Sequence, residues 1–458
     1  MTALQEPAGR ANVQPPRRRL ILGGLTGLVA FATFFIVEHS LTSSTRSEAF
    51  GDEEFEDVQL DEMVAGGDTI RKVGFVAFGA MGAALLVTPV RRLPMLSTPL
   101  LLIGAGATLA AASVLWAVDT NLAAKRVFVL ACVLSGVLGL SRQFSPRQTA
   151  NWLTALAAAF VILGLLAEVA LGQFRPWSGE YRFGGTTHPN TQGVICGLLL
   201  CSAAARVLLP GGTNRGRWLL VALGTAVLLY LTKSRTTLAA TLVACGVLAV
   251  LRASWAMRLI GGLSAAVAVS AAVLLAAALD LPVLQKVGDA LLLGRQEEAG
   301  TLTGRLPLWA ELNGDIAARP LLGHGYGSFW TPDTVYRVAA TQGWQPSHAH
   351  SAYYETALNL GLPGLLLAVL TLTLTVLAAV QAEASRPSVA SGLVLSFTIF
   401  AGIYSMADTA FALPTLASFT LAMLIVQSGR LSPVAASRQS RRAAADGSAP
   451  PFPAAAAA

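Results

Sequence analysis

The residues best suited to chemistry lie between Gly304 and Gly364, a stretch that holds three of the chain's five histidines, His324, His348 and His350. An imidazole changes charge near neutral pH and can accept a proton from a hydroxyl. His348 and His350 are two positions apart, which is poor spacing for two ligands on one helix face, and they do not form the His-Glu-x-x-His pattern of zinc proteases. No metal is assigned, and no cofactor. If a helix begins near Ala349, His350 stacks over Tyr354, and Glu355 lies about 140° away round the helix as a secondary partner. Gly323-His324-Gly325-Tyr326-Gly327 could be taken for a phosphate loop, but no strand precedes it and no Lys-Ser/Thr follows, so tight-turn glycines are the better account.

The cations come next. Arg305 falls in the first turn of a short amphipathic helix that Thr303 or Gly304 starts and Pro320 ends, with Trp309, Leu312 and Ile316 on one face. A cation there opposes the helix dipole, which suits an anionic ligand, though plain solvation also accounts for it. The helix is expected to lie on the membrane as a lid. Lys233-Ser234-Arg235 sits between two apolar runs with almost no loop, a costly place for two cations unless they face a polar cavity or an anion. Ser234 or Thr236 can cap the next helix, whose N-terminus also favours an anion, so Arg235 is read as a pyrophosphate ligand and Lys233 as a secondary candidate. Arg182, in GEYRFGGTTHPNTQG, stands before a His188-Pro189-Asn190 turn where Asn190 or Thr191 can cap the following helix. Snorkelling at the membrane surface is the plain alternative for these side chains.

The elements that must position these groups are apolar. The chain has 458 residues, 54% hydrophobic and 12% charged, with a mean hydropathy of +0.60. A soluble protein carries about a quarter charged residues, so this is an integral membrane protein. About 20 apolar residues cross the hydrocarbon, and about twelve such spans are expected, near 20–37, 73–89, 98–118, 126–141, 152–171, 190–209, 217–232, 236–251, 257–280, 352–380, 388–405 and 411–427. The fold class is all-α, a polytopic bundle with a large periplasmic loop carrying short amphipathic helices. Residues 1–19 form a cytoplasmic tail, 20–280 spans one to nine, 281–351 the loop, 352–429 spans ten to twelve, and 430–458 a disordered cytoplasmic tail.

Basic residues set the orientation. Arg17–Arg19, Arg91, Arg92, Arg142, Arg147, Arg206, Arg215, Arg217, Arg252, Arg258, Arg386 and the tail from Arg430 fall at ends of one parity, which is cytoplasmic. The acidic segment from Glu48 to Glu62 falls outside, as do Arg182, Arg235 and Arg305, against the bias. The net charge of +7 belongs largely to span ends and tails and suits cytoplasmic loops better than nucleic-acid binding, so the partners expected are membrane lipids and no nucleic acid. Cys132, Cys196, Cys201 and Cys245 lie within spans without metal-type spacing and read as packing residues. Gly361 and Gly364 offer a small face for close helix packing. No Asp-x-Asp pair and no Walker A sequence occurs, so chemistry on the outer face, where nucleotides are scarce, needs a lipid-borne donor.

GRLPLW, RPLLGHGYGSFW and SHAHSAYYETALNLGLPG, supported by RFGGTTHPNTQG and TKSRTTLA, resemble the O-antigen ligase family of membrane glycosyltransferases, which includes O-antigen and exopolysaccharide polymerases. The resemblance spans roughly 110–380. It implies a metal-independent, inverting transferase in the bacterial inner membrane that moves a glycan from undecaprenyl pyrophosphate to an acceptor hydroxyl, on a glycan or a lipid-linked acceptor, at the periplasmic face. Carried onto this chain, His350 is the catalytic histidine, and Arg235, Arg305 and Arg182 hold the donor's pyrophosphate; Lys233, His348, Glu355 and His324 are secondary candidates. Many members have Asn after the histidine where this chain has Ser351. The lead-in from Trp344 to His348 looks closest to exopolysaccharide-polymerase-type members. The competing reading is a transporter or flippase of a lipid-linked glycan, which should show a repeat, broken midplane helices or charges deep inside spans.

Overall fold

A computed structural model describes residues 17–47, 69–87, 97–179, 181–258, 305–412 and 414–431. Residues 1–16 and 432–458 of the two tails, the acidic 48–62 segment, nearly all of the expected span at 257–280 and the loop from 281 to 304 lie outside the described residues; Arg17–Arg19, expected in the tail, begin α1. In chain order the described helices are α1 (Arg17–Ser47), α2 (Thr69–Val87), α3 (Thr98–Ala112), α4 (Thr120–Gln143), α5 (Pro146–Ala170), α6 (Pro189–Val207), α7 (Arg215–Leu231), α8 (Arg235–Arg252), α9 (Arg305–Ala318), α10 (Pro332–Gln342), α11 (Ala352–Ser385), α12 (Val389–Tyr404) and α13 (Leu416–Ser428). A 3-10 turn, Ser113–Trp116, extends α3. Six elements are long and apolar enough to cross a membrane: α2, α3 with its 3-10 turn, α4, α5, α8 and α11; shorter apolar helices run over Gly23–Glu38, α12 and α13. The expectation of an all-helical membrane chain therefore holds, with six qualifying spans among the described residues. α6 and α7 form where spans were expected but are too polar or too short to join that group.

The bundle is built on small-residue crossings and one aromatic centre. α2 and α4 approach so closely that a Cβ on Gly82 would lie 2.4 Å from the Gly136 nitrogen; backbones packed this tightly gain dispersion contacts that lipid cannot match. Phe34 of α1 stacks on Phe419 of α13 at 4.6 Å, with Phe78 edge-on to both. α12 runs through the middle, packed on α6, α8 and α11, and its Phe397 and Phe400 are fully buried. Cys132, Cys196 and Cys201 are buried free thiols, and Cys245 is partly buried, as packing residues should be.

At one end of the bundle, several of the arginines that marked orientation also join helices. Arg252 of α8 forms a buried pair with Glu383 of α11 at 2.8 Å and donates to the Ala205 and Ser388 carbonyls. Arg430 donates to the Phe144 carbonyl at 2.8 Å. The other end gathers the functional segments. There the Ala352 N–H donates to the Ser405 and Asp408 carbonyls, that of Phe183 to Leu231, and that of Val118 to His324.

A second, smaller core caps this end. Leu308 and Leu312 of α9 are buried with Phe329, Trp330, Val335 and Val338 around α10, and with Ala349 and Leu358; Trp309 and Ile316 pack at its edge. The amphipathic face is the expected one, but it lies on α10 and α11 rather than on the membrane. On its polar side Glu311 and Asp315 pair with Arg337 of α10.

α11 is not one helix. At Gly361 the backbone turns to φ 66°, ψ −170°. This is not a small face for helix packing, as the sequence suggested. A Cβ on Gly361 would meet the Leu321 carbonyl at 2.6 Å, and the Leu362 N–H donates to the Pro320 carbonyl at 2.7 Å. The glycine-rich loop fills the break: the N–H groups of His324 and Gly325 donate to the Leu358 and Asn359 carbonyls. Gly323, Gly325 and Gly327 all have positive φ, so they serve a tight docked turn.

Candidate active site

The loop before α11 is held from both sides. Glu355, in the first turn of α11 and 1% exposed, accepts hydrogen bonds from the Ala349 N–H at 3.0 Å, the Trp330 indole at 3.0 Å and the Asn359 amide at 3.1 Å. On the opposite side Trp309 donates its indole N–H to the Ala349 carbonyl at 2.8 Å. The peptide between the two histidines is thereby fixed by α9 and α11 together. Glu355, a secondary candidate in the sequence, has its oxygens engaged by the scaffold.

His350 is not part of the helix. α11 begins at Ala352, with Ser351 as its N-cap, and His350 takes a left-handed backbone conformation, φ 48°. The expected stacking over Tyr354 does not form, because the helix starts three residues later than expected; Tyr354 instead stacks on Trp309 at 5.3 Å. His350 faces His348, ring centroids 4.0 Å apart, and Trp344 at 5.5 Å. Its N–H donates to His348 Nδ1 at 3.2 Å, which leaves the proton of a neutral His348 on Nε2. Burial holds the His350 imidazole well below the ordinary histidine value, and the neighbouring His348 and Arg305 push it the same way. His348 is also lowered by burial, opposed by Asp408 and Glu355 and reinforced by Arg305. Both rings are therefore neutral at neutral pH.

Arg305, at the start of α9, lies within electrostatic range of His348, His350 and Tyr404. It has no ion pair or hydrogen bond among the described residues. A half-buried guanidinium without a carboxylate, beside two neutral imidazoles, is a ready site for an anion. Asp408 stands on the other side and accepts from the Tyr404 hydroxyl at 2.6 Å. Behind the loop, Arg126 of α4 faces Glu355 and Tyr326. His324 is away from this group: its Nε2 meets the Asp315 carbonyl at 3.1 Å and its ring meets Phe329.

The remaining cations form a second cluster at the same end. Arg182 donates to the Thr232 carbonyl at 3.0 Å and to Asn190 Oδ1 at 3.1 Å. Lys233, in a left-handed conformation at φ 53°, donates to the Gly179 carbonyl. Both therefore clamp the 172–188 loop onto the turn between α7 and α8. Glu168, buried at the end of α5, accepts the N–H groups of Gly184 and Gly185 at 2.9 and 2.7 Å. The α6 cap is His188, whose ring accepts the Asn190 N–H at 3.2 Å, not Asn190 or Thr191. Ser234 is the N-cap of α8 without a side-chain bond. Arg235 follows it and has no hydrogen-bond or ion-pair partner among the described residues. α12 joins the clusters: its Phe400 packs on Gly197 beside Thr241 of α8, and its Tyr404 end reaches Asp408.

Residues 219–369 match the model of the O-antigen ligase family. The resemblance carried by the motifs is thus shown over that stretch, and it supports glycosyl transfer at a membrane as the class of activity. No curated protein matches the chain. The O-antigen ligase match takes in Arg235, Arg305, His348 and His350, while Arg182, Arg126 and Asp408 stand outside it. Among the described residues, no group of three or more His, Cys, Asp and Glu side chains is arranged to hold a metal. Sequence reasoning missed Asp408, Arg126 and Glu168, single charges inside apolar runs or at their ends; a charge in such a place was itself the available signal. It also missed α10, although Thr331-Pro332 opens and Gly343 closes it.

Proposed function

We propose that the chain is a glycosyltransferase of the bacterial inner membrane that moves a glycan from undecaprenyl pyrophosphate to an acceptor hydroxyl at the periplasmic face. The observation that carries this reading is Arg305, without a carboxylate partner among the described residues, beside the neutral His348–His350 pair and inside the O-antigen ligase match. In the reaction, the acceptor oxygen attacks the anomeric carbon and the carbon–oxygen bond to phosphate breaks. His350 takes the acceptor's proton and undecaprenyl pyrophosphate leaves. Arg305 and Arg235 hold the leaving charge; a guanidinium fork matches phosphate oxygens and replaces the metal that such a leaving group otherwise needs. Arg182 supports Arg235 through the turn that both border.

A transporter of the same lipid-linked glycan is favoured by one observation, the broken helix at Gly361. Backbone of the preceding loop fills this break, since the Pro320 carbonyl takes the Leu362 N–H, which is less suited to a moving transport helix than an open break would be. Glycan analysis of a deletion strain tests the proposal. Lost chains on a lipid acceptor indicate a ligase, and single repeat units a polymerase. Unchanged glycans that build up on the cytoplasmic side would indicate transport instead.

A further inference from the structure

Four tryptophans stand at this end of the bundle, and three of them are built into the scaffold through their indole N–H groups. Trp116 donates to the Leu322 carbonyl, Trp309 to the Ala349 carbonyl and Trp330 to Glu355. Trp344 is not built in this way. It follows Gly343, the left-handed cap of α10, and is 37% exposed. It belongs to neither apolar core, and its indole N–H has no partner among the described residues. Its ring contact is with His350, at 5.5 Å between centroids and tilted by 57°. A large aromatic face and a free donor thus stand beside the proton acceptor, where packing does not call for them.

Resting on the transferase reading, we propose that Trp344 is the platform for the acceptor sugar, taking the C–H face of a pyranose on its indole ring so that a hydroxyl of that sugar points at His350. The chemistry fits the feature. Sugar C–H groups are polarised by adjacent oxygens and are drawn to the electron-rich ring face, while the indole N–H offers a hydrogen bond at the rim. The indole and imidazole are tilted by 57° rather than stacked, as suits a bound sugar that meets the indole face with one hydroxyl toward the imidazole. Trp344 touches substrate without taking part in bond breaking, so its effect falls on acceptor binding and orientation. The acceptor class is therefore a saccharide with an exposed apolar face next to the attacking hydroxyl.

The test uses the full-length protein in vesicles with the glycolipid extract of a deletion strain, which holds both donor and acceptor. Trp344→Phe keeps a flat ring, and Trp344→Leu keeps only apolar bulk. The expected result is that Trp344→Leu raises KM for the extract about 10-fold at nearly unchanged kcat, and that Trp344→Phe restores most of it. Saturation-transfer NMR with methyl β-glucopyranoside should show contact to wild type and Trp344→Phe but not to Trp344→Leu. Unchanged KM in Trp344→Leu, as for a side chain that merely anchors at the membrane surface, would overturn the proposal. So would a fall in kcat alone that Phe does not repair, the mark of a side chain that only props His350. His350→Ala serves as the reference. If it too turns over normally, His350 is not the base; if wild type forms no product from the extract, the transferase reading itself fails, whereas an inactive His350→Ala with a normal Trp344→Leu removes the platform alone.

Discussion

The backbone N–H of His350 donates to Nδ1 of His348 at 3.2 Å, and this bond sets the two rings 4.0 Å apart. Two imidazoles so placed cannot readily both be charged, and Arg305 adds a third positive neighbour. The arrangement keeps His350 as a free base. His350→Ala is expected to reach the membrane at normal levels, to bind the lipid-linked donor and to lose about 10²–10⁴ in rate. His348→Ala should be milder. Wild-type turnover by purified His350→Ala would pass the proton to another group.

The same geometry fixes the pH response. Because burial, His348 and Arg305 all lower His350, its neutral form survives below the usual histidine midpoint of about 6.5. Activity should stay flat as pH falls through that value and decline only at lower pH. An acid limb of kcat/KM at or above it contradicts a lowered base. EDTA should change little, since the arginines take the part of a metal in the proposed reaction.

Arg305→Lys and Arg235→Lys should each lose most activity, because an ammonium cannot replace a fork on pyrophosphate. Arg182→Lys should cost less rate and more thermal stability, since Arg182 braces the Thr232 carbonyl and Asn190. Full activity of both Arg235→Lys and Arg305→Lys in a membrane assay would reduce these residues to surface charges.

Glu355→Ala leaves three donors without their shared acceptor, those of Ala349, Trp330 and Asn359. An unsatisfied buried group costs about 1–3 kcal/mol, so the midpoint of thermal unfolding should fall clearly. Glu355→Gln keeps an acceptor oxygen and should fall less. A Glu355→Ala protein as stable as wild type would show that the carboxylate does not anchor the loop.

Orientation is tested by labelling from outside in a background lacking the four native cysteines. Ala340→Cys, on the exposed face of α10, should react, and Gln148→Cys, exposed at the opposite end, should not. The reverse labelling pattern would place the histidine loop on the cytoplasmic side and remove the lipid-donor argument.

Much of this was legible in the chain. Hydropathy alone marked the helices that long apolar runs must form, and the motif stretch from Arg305 to Gly364 contained the histidine loop and the helices that hold it. Tertiary contacts decided the rest. Nothing local reveals that Glu355 turns inward to hold Ala349, since a carboxylate in a helix's first turn is equally at home in water. Tyr354 sits at helical spacing from His350, but Trp309 from a distant helix claims its ring. Gly361 looks like a packing glycine until the Pro320 and Leu321 carbonyls, forty positions back along a different element, show why no side chain fits. Asp408 is a lone charge near an apolar run in the sequence, and it is the end of α12 abutting the start of α11 that brings it to the histidine loop.

The break in α11 also has a consequence of length. A continuous helix from Ala352 to Ser385 would measure about 51 Å, well beyond a hydrocarbon core of about 30 Å. Divided at Gly361, Leu362–Ser385 measures about 36 Å and suffices to span alone. The preceding Ala352–Leu360 piece, which carries the buried Glu355 and Asn359, is then surplus to the crossing and belongs with α9 and α10. The histidines thus precede a short storey of helix, about 13 Å long, that the crossing itself does not require. In the proposed reaction this lets a hydrophilic acceptor arrive without entering oil, while the lipid-linked donor is tethered by its tail below.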